Sequence, residues 1–138
     1  MHLSIVMPAY NERDTIEKVL PLVAGALKGV KKQLIIVDDD SHDGTREWLK
    51  DRFGTQPRAI AELFIGDDGG LRIIDADDKT ETLLTIELAL QQTNRGKGAA
   101  LRAGFALVRG DVIVVQDADL EYDPADWQLM WNLISERG

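Results

Sequence analysis

Four short stretches of this chain are apolar with little interruption, and each runs straight into a polar cluster. They are Leu3-Ser4-Ile5-Val6-Met7, Leu34-Ile35-Ile36-Val37, Leu83 to Leu90, and the Val112-Ile113-Val114-Val115 run within residues 111–116. A strand with one face in water alternates apolar and polar residues, so unbroken apolar strands demand cover on both faces. Between them the apolar residues switch to helical spacing: Ile16, Val19, Leu20, Val23 and Leu27, then Trp48, Leu49 and Phe53, then Leu101, Phe105 and Val108. After the fourth strand, Trp127, Met130, Trp131 and Ile134 continue the pattern. Strand and helix thus alternate, which predicts an α/β fold: a Rossmann-like, mostly parallel sheet with helices on both faces.

Local signals mark the element ends. Asn11 is placed to cap the first helix with Asp14 in its first turn, and Pro21 should kink it. Gly44-Thr45 opens the second helix, Gly98 the third, and Asp123-Pro124 reads as N-cap and first helical residue of the fourth. Residues 55–82 break the rhythm and read as an insertion or hairpin: Leu63-Phe64-Ile65, a Gly-Asp tip, then Leu71-Arg72-Ile73-Ile74.

The bulk properties narrow the classes. At 138 residues the chain is expected to form one domain. Its net charge of −8 argues against a nucleic-acid partner, because phosphate backbones are held by excess Lys and Arg. No cysteine is present, which rules out disulfides and thiolate zinc sites. No apolar run approaches the roughly 20 residues of a membrane span, and residues 1–4 lack a leader-like pattern. The expected location is cytoplasmic.

The polar clusters carry the chemistry. They are Pro8-Ala9-Tyr10-Asn11-Glu12, Asp38 to Thr45, Asn94-Arg95-Gly96-Lys97-Gly98, and Asp117-Ala118-Asp119. In an open parallel sheet these strand ends share one edge, where ligands bind. Asp117 and Asp119 repel each other unless a cation lies between them, and carboxylate pairs with open positions suit Mg²⁺ or Mn²⁺ completed by phosphate and water. Gly96-Lys97-Gly98 lets backbone N–H groups approach an anion at a helix start. It fits neither the Walker A spacing nor the dinucleotide glycine pattern. Together these point to a metal-bound diphosphate.

Each feature also has a plainer reading. Asp-x-Asp alone is commonly a turn, and Asp75-Ala76-Asp77-Asp78 is read that way, as a solvated turn. Asp43 is the candidate cap among the acidic run, Asp39 the candidate ligand contact. Arg95 is either a surface charge or a site residue. His2 and His42 show no metal-ligand spacing and are read as structural; Trp48, Trp127 and Trp131 lie on apolar helix faces and are read as core.

In order, "SIVMPAYNERDTIEKVL", "LIIVDDDSHDGTREWL", "NRGKGAALRAGF" and "DVIVVQDADLEYDP" resemble family 2 glycosyltransferases, nearest to the polyprenol-phosphate sugar synthases such as dolichol-phosphate mannose synthase. The likeness spans residues 3–54 and 84–136. It implies the GT-A fold, a UDP- or GDP-sugar donor, Mg²⁺ or Mn²⁺, and inverting transfer to a polyprenyl or dolichyl phosphate or to a glycan. Carried onto this chain, it puts Pro8, Tyr10 and Glu12 in the nucleoside pocket, Val37 and Asp39 against base and ribose, and Lys97 near the diphosphate. Asp117, Ala118 and Asp119 form the D-x-D element, with Asp119 the principal metal ligand and Asp117 the second, facing the ribose or the metal's water shell. Glu121 is placed near sugar and metal.

Three departures stand out. Asp40 replaces a family glycine, residues 55–82 exceed the family's connection, and the chain stops soon after the D-x-D helix, before an acceptor-binding half. The resemblance therefore implies the nucleotide-sugar-binding half, either excised from a longer protein at the cytoplasmic face of a membrane or naturally short; truncation that exposes apolar surface on a sheet edge would favour self-association. The alternatives are a nucleotide-sugar-binding module without transfer, and a doubly wound phospho-acceptor domain that would leave Asp117 and Asp119 without a role.

Overall fold

A computed structural model of the protein describes residues 2–77, 83–121 and 123–137. A six-stranded sheet is built from β1 (His2–Ala9), β2 (Lys31–Asp38), β3 (Arg58–Ile65), β4 (Leu71–Asp75), β5 (Leu84–Leu90) and β6 (Val112–Val115). The helices are α1 (Arg13–Gly25), α2 (Thr45–Phe53), α3 (Lys97–Phe105) and α4 (Trp127–Arg137), the last preceded by a 3-10 turn over Pro124–Asp126. Strand order is β4-β3-β5-β2-β1-β6. β5, β2, β1 and β6 run parallel, and β3 pairs antiparallel with both β5 and β4. The parallel sheet with helices on both faces is as expected.

Side-chain alternation along the central strands divides the core. Leu3, Ile5 and Met7 of β1 join Leu34 and Ile36 of β2 beneath α1 and α2, where Ile16, Leu20, Trp48 and Leu49 complete the larger cluster. The intervening Val6, Ile35 and Val37 meet Ala100 of α3 on the other face. At α3 the expected stripe is corrected in part: Leu101 and Val108 pack partly buried against this cluster, Val108 from beyond the helix, but Phe105 is exposed and the buried positions are Ala100 and Gly104. A Cβ on Gly104 would sit 2.4 Å from Val6 Cγ1, so the helix rides too close to the sheet for a larger residue there.

Other local expectations change as well. Asn11 does not cap α1: its φ is 53° and its Oδ1 accepts from His42 N at 2.8 Å, while Glu12 holds the cap position. Pro21 lies inside an unbroken α1, and buried Leu27 falls beyond its end at φ 51°. Lys32 stands there instead as a buried cap, donating to the carbonyls of Val23, Ala24 and Ala26; burial pulls its pKa down to about 8. α3 begins at Lys97, one residue before Gly98. Asp123 does cap its turn, accepting from Ala125 N at 2.9 Å, and all three tryptophans are buried.

Residues 58–75 form a hairpin that adds antiparallel to β5 and makes one edge of the sheet, β4 outermost. It docks on α1 through Leu63 and Leu71, and Leu71 N donates to Glu17 Oε2 at 2.9 Å. Asp75 is the last residue of β4 rather than part of a turn, because Arg58 grips it from the neighbouring strand. Asp78 lies outside the described residues.

The largest correction concerns β6. It is an edge strand paired only with β1, and its side chains alternate: Val112 and Val114 pack on the core, Ile113 and Val115 are 49% and 43% exposed. An unbroken apolar run looked like a strand covered on both faces, yet here one face has no cover within the described residues.

Candidate functional site

The strand order fixes where a site belongs. From β1 the chain winds outward through β2 to β5, then reverses to place β6 on the other side of β1. β1 hands the chain on to β2 while β6 lies on its other side, and this reversal of strand order opens a crevice at the carboxyl ends of β1 and β6. A cleft of about 460 Å³ lies there. Pro8 and Ala9 end β1 and Tyr10 and Glu12 follow it; Asp117, Ala118 and Asp119 follow β6; Asp39 follows β2, while Asn94, Gly96, Lys97 and Ala100 follow β5.

Eight of the ten residues singled out from sequence line this cleft: Pro8, Tyr10, Glu12, Asp39, Lys97, Asp117, Ala118 and Asp119. Two do not. Val37 is fully buried beneath α3, so its side chain faces the core. Glu121 is exposed at the rim, its N–H donating to Asp119 Oδ1 at 3.1 Å. Ala9, Asn94, Gly96 and Ala100 were not singled out individually; the two alanines carry no polar signal that sequence could offer.

Each group is held by a traceable contact. Asp39 is 4% exposed, and its two oxygens accept from Arg95 N and Gly96 N, both at 2.9 Å. That clamp seats the turn before α3, where Gly96 has φ 89°. Lys97 follows, its Nζ 2.7 Å from Asp117 Oδ1. Ala118 is 1% exposed, and Thr15 Oγ1 lies 2.9 Å from both Ala118 O and Glu12 Oε2. With one hydroxyl hydrogen, Thr15 serves one of these acceptors at a time. Tyr10 is 45% exposed, its ring available at the mouth.

The other acidic residues of the second cluster are structural. Asp38 is fully buried, bound by Arg46 at 3.0 Å and by Ser41 N at 3.1 Å. Burial works to raise the Asp43 carboxyl, but hydrogen bonds from the Thr45 hydroxyl, Thr45 N and Arg13 N hold it below its ordinary range. Asp40 adopts φ 61°, a left-handed conformation that Asp tolerates better than most residues. His42 is exposed beside Asp40 and packs no core.

Glu12, Asp39, Asp117 and Asp119 thus bring four carboxylates to one cleft, against one lysine in its lining. Among the described residues no three His, Cys, Asp or Glu side chains are grouped to chelate an ion unaided. A larger cleft, about 610 Å³, lies at the opposite end of the sheet beside the end of α1 and β3. Its one buried charged side chain, Lys32, already donates to three carbonyls, so the smaller cleft is where the chemistry gathers.

A carboxylate-lined crevice at the switch point of a doubly wound sheet defines a nucleotide-binding α/β domain of GT-A type. The chain belongs to glycosyl transferase family 2, whose family model matches residues 4–61 and 55–138. Among curated relatives, dolichol-phosphate mannosyltransferase of Pyrococcus furiosus is 27% identical over 90% of this chain and 27% of its own length. Dodecaprenyl-phosphate galacturonate synthase of Rhizobium johnstonii is 29% identical over 99% of this chain and 33% of its own. An undecaprenyl-phosphate 4-deoxy-4-formamido-L-arabinose transferase of Pseudomonas fluorescens is 31% identical over 90% and 29%. The chain therefore spans about a third or less of these relatives. In fold, S. aureus TarS 1-349 in complex with UDP superposes with a TM-score of 0.67 at 17% identity, over 99% of this chain and 32% of that one.

Proposed function

We propose that this chain is the donor-binding half of a glycosyltransferase that takes a UDP- or GDP-sugar and transfers the sugar, with inversion, to a polyprenyl phosphate at the cytoplasmic face of a membrane. The observation that carries this is the crevice at the β1–β6 switch point, where Asp117-Ala118-Asp119 meets Lys97 and Tyr10. Curated relatives named for polyprenyl-phosphate substrates, and a structural neighbour crystallised with UDP-GlcNAc, support the same reading. Among the described residues no helix is long and apolar enough to cross a membrane.

In this reading Tyr10 lies against the base, with Pro8 and Glu12 beside it. Asp39 accepts from the ribose or base while keeping its backbone clamp, which a carboxylate's remaining lone pairs allow. Val37 contributes through its backbone, its side chain being buried. Asp119 is the main ligand of Mg²⁺ or Mn²⁺ and Asp117 the second; hard carboxylate oxygens, too few to chelate unaided, fit an ion completed by diphosphate and water. When bound, the ion neutralises the charge that builds on the departing nucleoside diphosphate. The buried Ala118 and the β6 backbone hold both carboxylates at fixed spacing, so little reorganisation is needed as that charge develops. A phosphate acceptor is already anionic and needs no general base.

The test is calorimetric titration with UDP and GDP, with and without Mn²⁺. Binding that requires the ion is expected; equal affinity in excess chelator would contradict it. A second reading, a nucleotide-sugar-binding module without transfer, uses the same cleft and the same donor contacts. Donor hydrolysis or transfer to a polyprenyl phosphate by this chain would exclude it.

A further inference from the structure

Resting on that reading, we propose that Lys97 is the cleft's resident cation: it neutralises Asp117 while the cleft is empty and passes to the donor's diphosphate when a divalent ion takes Asp117. Three observations carry this. First, Lys97 Nζ stands 2.7 Å from Asp117 Oδ1, on one of the carboxylates assigned to the ion. Second, Lys97 is the first residue of α3, whose first turn has no acidic residue. A cation there opposes the positive end of the helix dipole, so its position is not explained by helix stability. Third, its root and tip are held differently. Asp39 fixes the preceding backbone through Arg95 N and Gly96 N, whereas the Lys97 side chain is 58% exposed. A point charge on a flexible four-carbon stem, rooted beside a fixed turn, can swing without moving the turn.

The electrostatics give the exchange its direction. Four carboxylates face the cleft, and the ammonium relieves part of their repulsion in the absence of other cations. A divalent ion on Asp117 repels the ammonium, while the diphosphate that completes the ion's coordination supplies a new anion within the same cleft. Lys97 therefore opposes the ion in the empty site and assists the nucleotide in the filled one.

Mn²⁺ binding to nucleotide-free protein, read by electron paramagnetic resonance, and UDP binding at saturating Mn²⁺, read by calorimetry, test the two halves. Lys97→Gln should bind Mn²⁺ about three- to fivefold more tightly than the unaltered chain, the scale of a partly exposed ion pair. It should bind UDP about tenfold more weakly, the scale of a charge-assisted contact. Lys97→Arg, which keeps the charge, should leave Mn²⁺ affinity near the unaltered value. Unchanged Mn²⁺ affinity in Lys97→Gln, or tighter binding of both ligands, would overturn the exchange. So would Lys97→Arg matching Lys97→Gln in Mn²⁺ affinity. If the unaltered chain still needs Mn²⁺ for UDP while Lys97→Gln shows no shift, this inference fails and the donor-site reading stands.

Discussion

Asp-Ala-Asp occurs twice in this chain, at residues 75–77 and 117–119, and the fold gives the two copies opposite surroundings. Asp75 ends β4, the outer strand of the hairpin, and Arg58 donates to both its oxygens at 2.6 and 3.2 Å on an exposed surface. Asp117 and Asp119 follow β6 next to β1, flank a buried Ala118, and open into a cleft with two further carboxylates. At the hairpin the charge is answered by arginine in solvent. At the switch point it is concentrated, with one lysine against four acids. Three letters do not make a site; their position at the reversal of a parallel sheet does.

That contrast can be broken or sharpened by experiment. The largest effect is expected where an arginine answers a buried carboxylate, at Asp38 beside the cleft, set against the exposed pair at the hairpin. Arg46→Met leaves the fully buried Asp38 carboxylate unpaired, with Asp38 Oδ1 already lacking a hydrogen-bond partner, and should cost about 3 kcal/mol or more in urea unfolding. Arg58→Met, at the exposed hairpin pair, should cost less than about 1 kcal/mol.

Next is the anchor of the site strand. A Cβ on Gly110 would lie 2.6 Å from His2 O and 2.8 Å from Ser4 N, both backbone atoms that cannot step aside. Gly110→Ala should destabilise by about 3 kcal/mol, the upper end for overpacking. Faster amide exchange should be confined to β6 and its β1 partner, leaving β3 and β4 protected as before. Asp119→Asn should weaken Mn²⁺-dependent UDP binding by about 2 kcal/mol, the scale of a lost charge-assisted contact, while Asp75→Asn leaves it unchanged. Similar losses from both would erase the distinction.

The smallest effect is a pH dependence at the hairpin. The hydrogen bonds from Arg58 hold the Asp75 carboxyl below its ordinary range. A carboxyl with a depressed folded-state pKa stabilises above its unfolded pKa, and that gain is lost as pH falls through the folded value. The stability difference between the unaltered chain and Asp75→Asn should therefore be a fraction of about 1 kcal/mol near neutrality and vanish on acidification.

Much of this was legible in the residues. Largely apolar runs in β1 and β2, helical spacing between strands, and four polar clusters were enough to predict a parallel sheet with one loaded edge. What stayed hidden depended on distant partners. Ser4, Gln33 and Glu87 sit inside apolar strands because Ser4 Oγ donates to Gln33 and Gln33 Nε2 to Glu87, across 29 and 54 residues. Val37 reads the same whether it faces ligand or core, and only its place beneath α3 decides. The exposed side of β6 was misread because periodicity reports what a strand tolerates, not whether a neighbour covers it. Asn11 carried a cap-like residue type, but the β1–β2 loop contacts claimed its side chain instead.

The most direct test maps the ion itself. In amide NMR spectra with Mn²⁺ and UDP, paramagnetic broadening should centre on residues 117–121, reach the turn at residues 95–97 and the backbone of Glu12, and spare residues 71–77. Broadening centred on the hairpin, or spread over the acidic surface without focus at Asp119, would contradict the account.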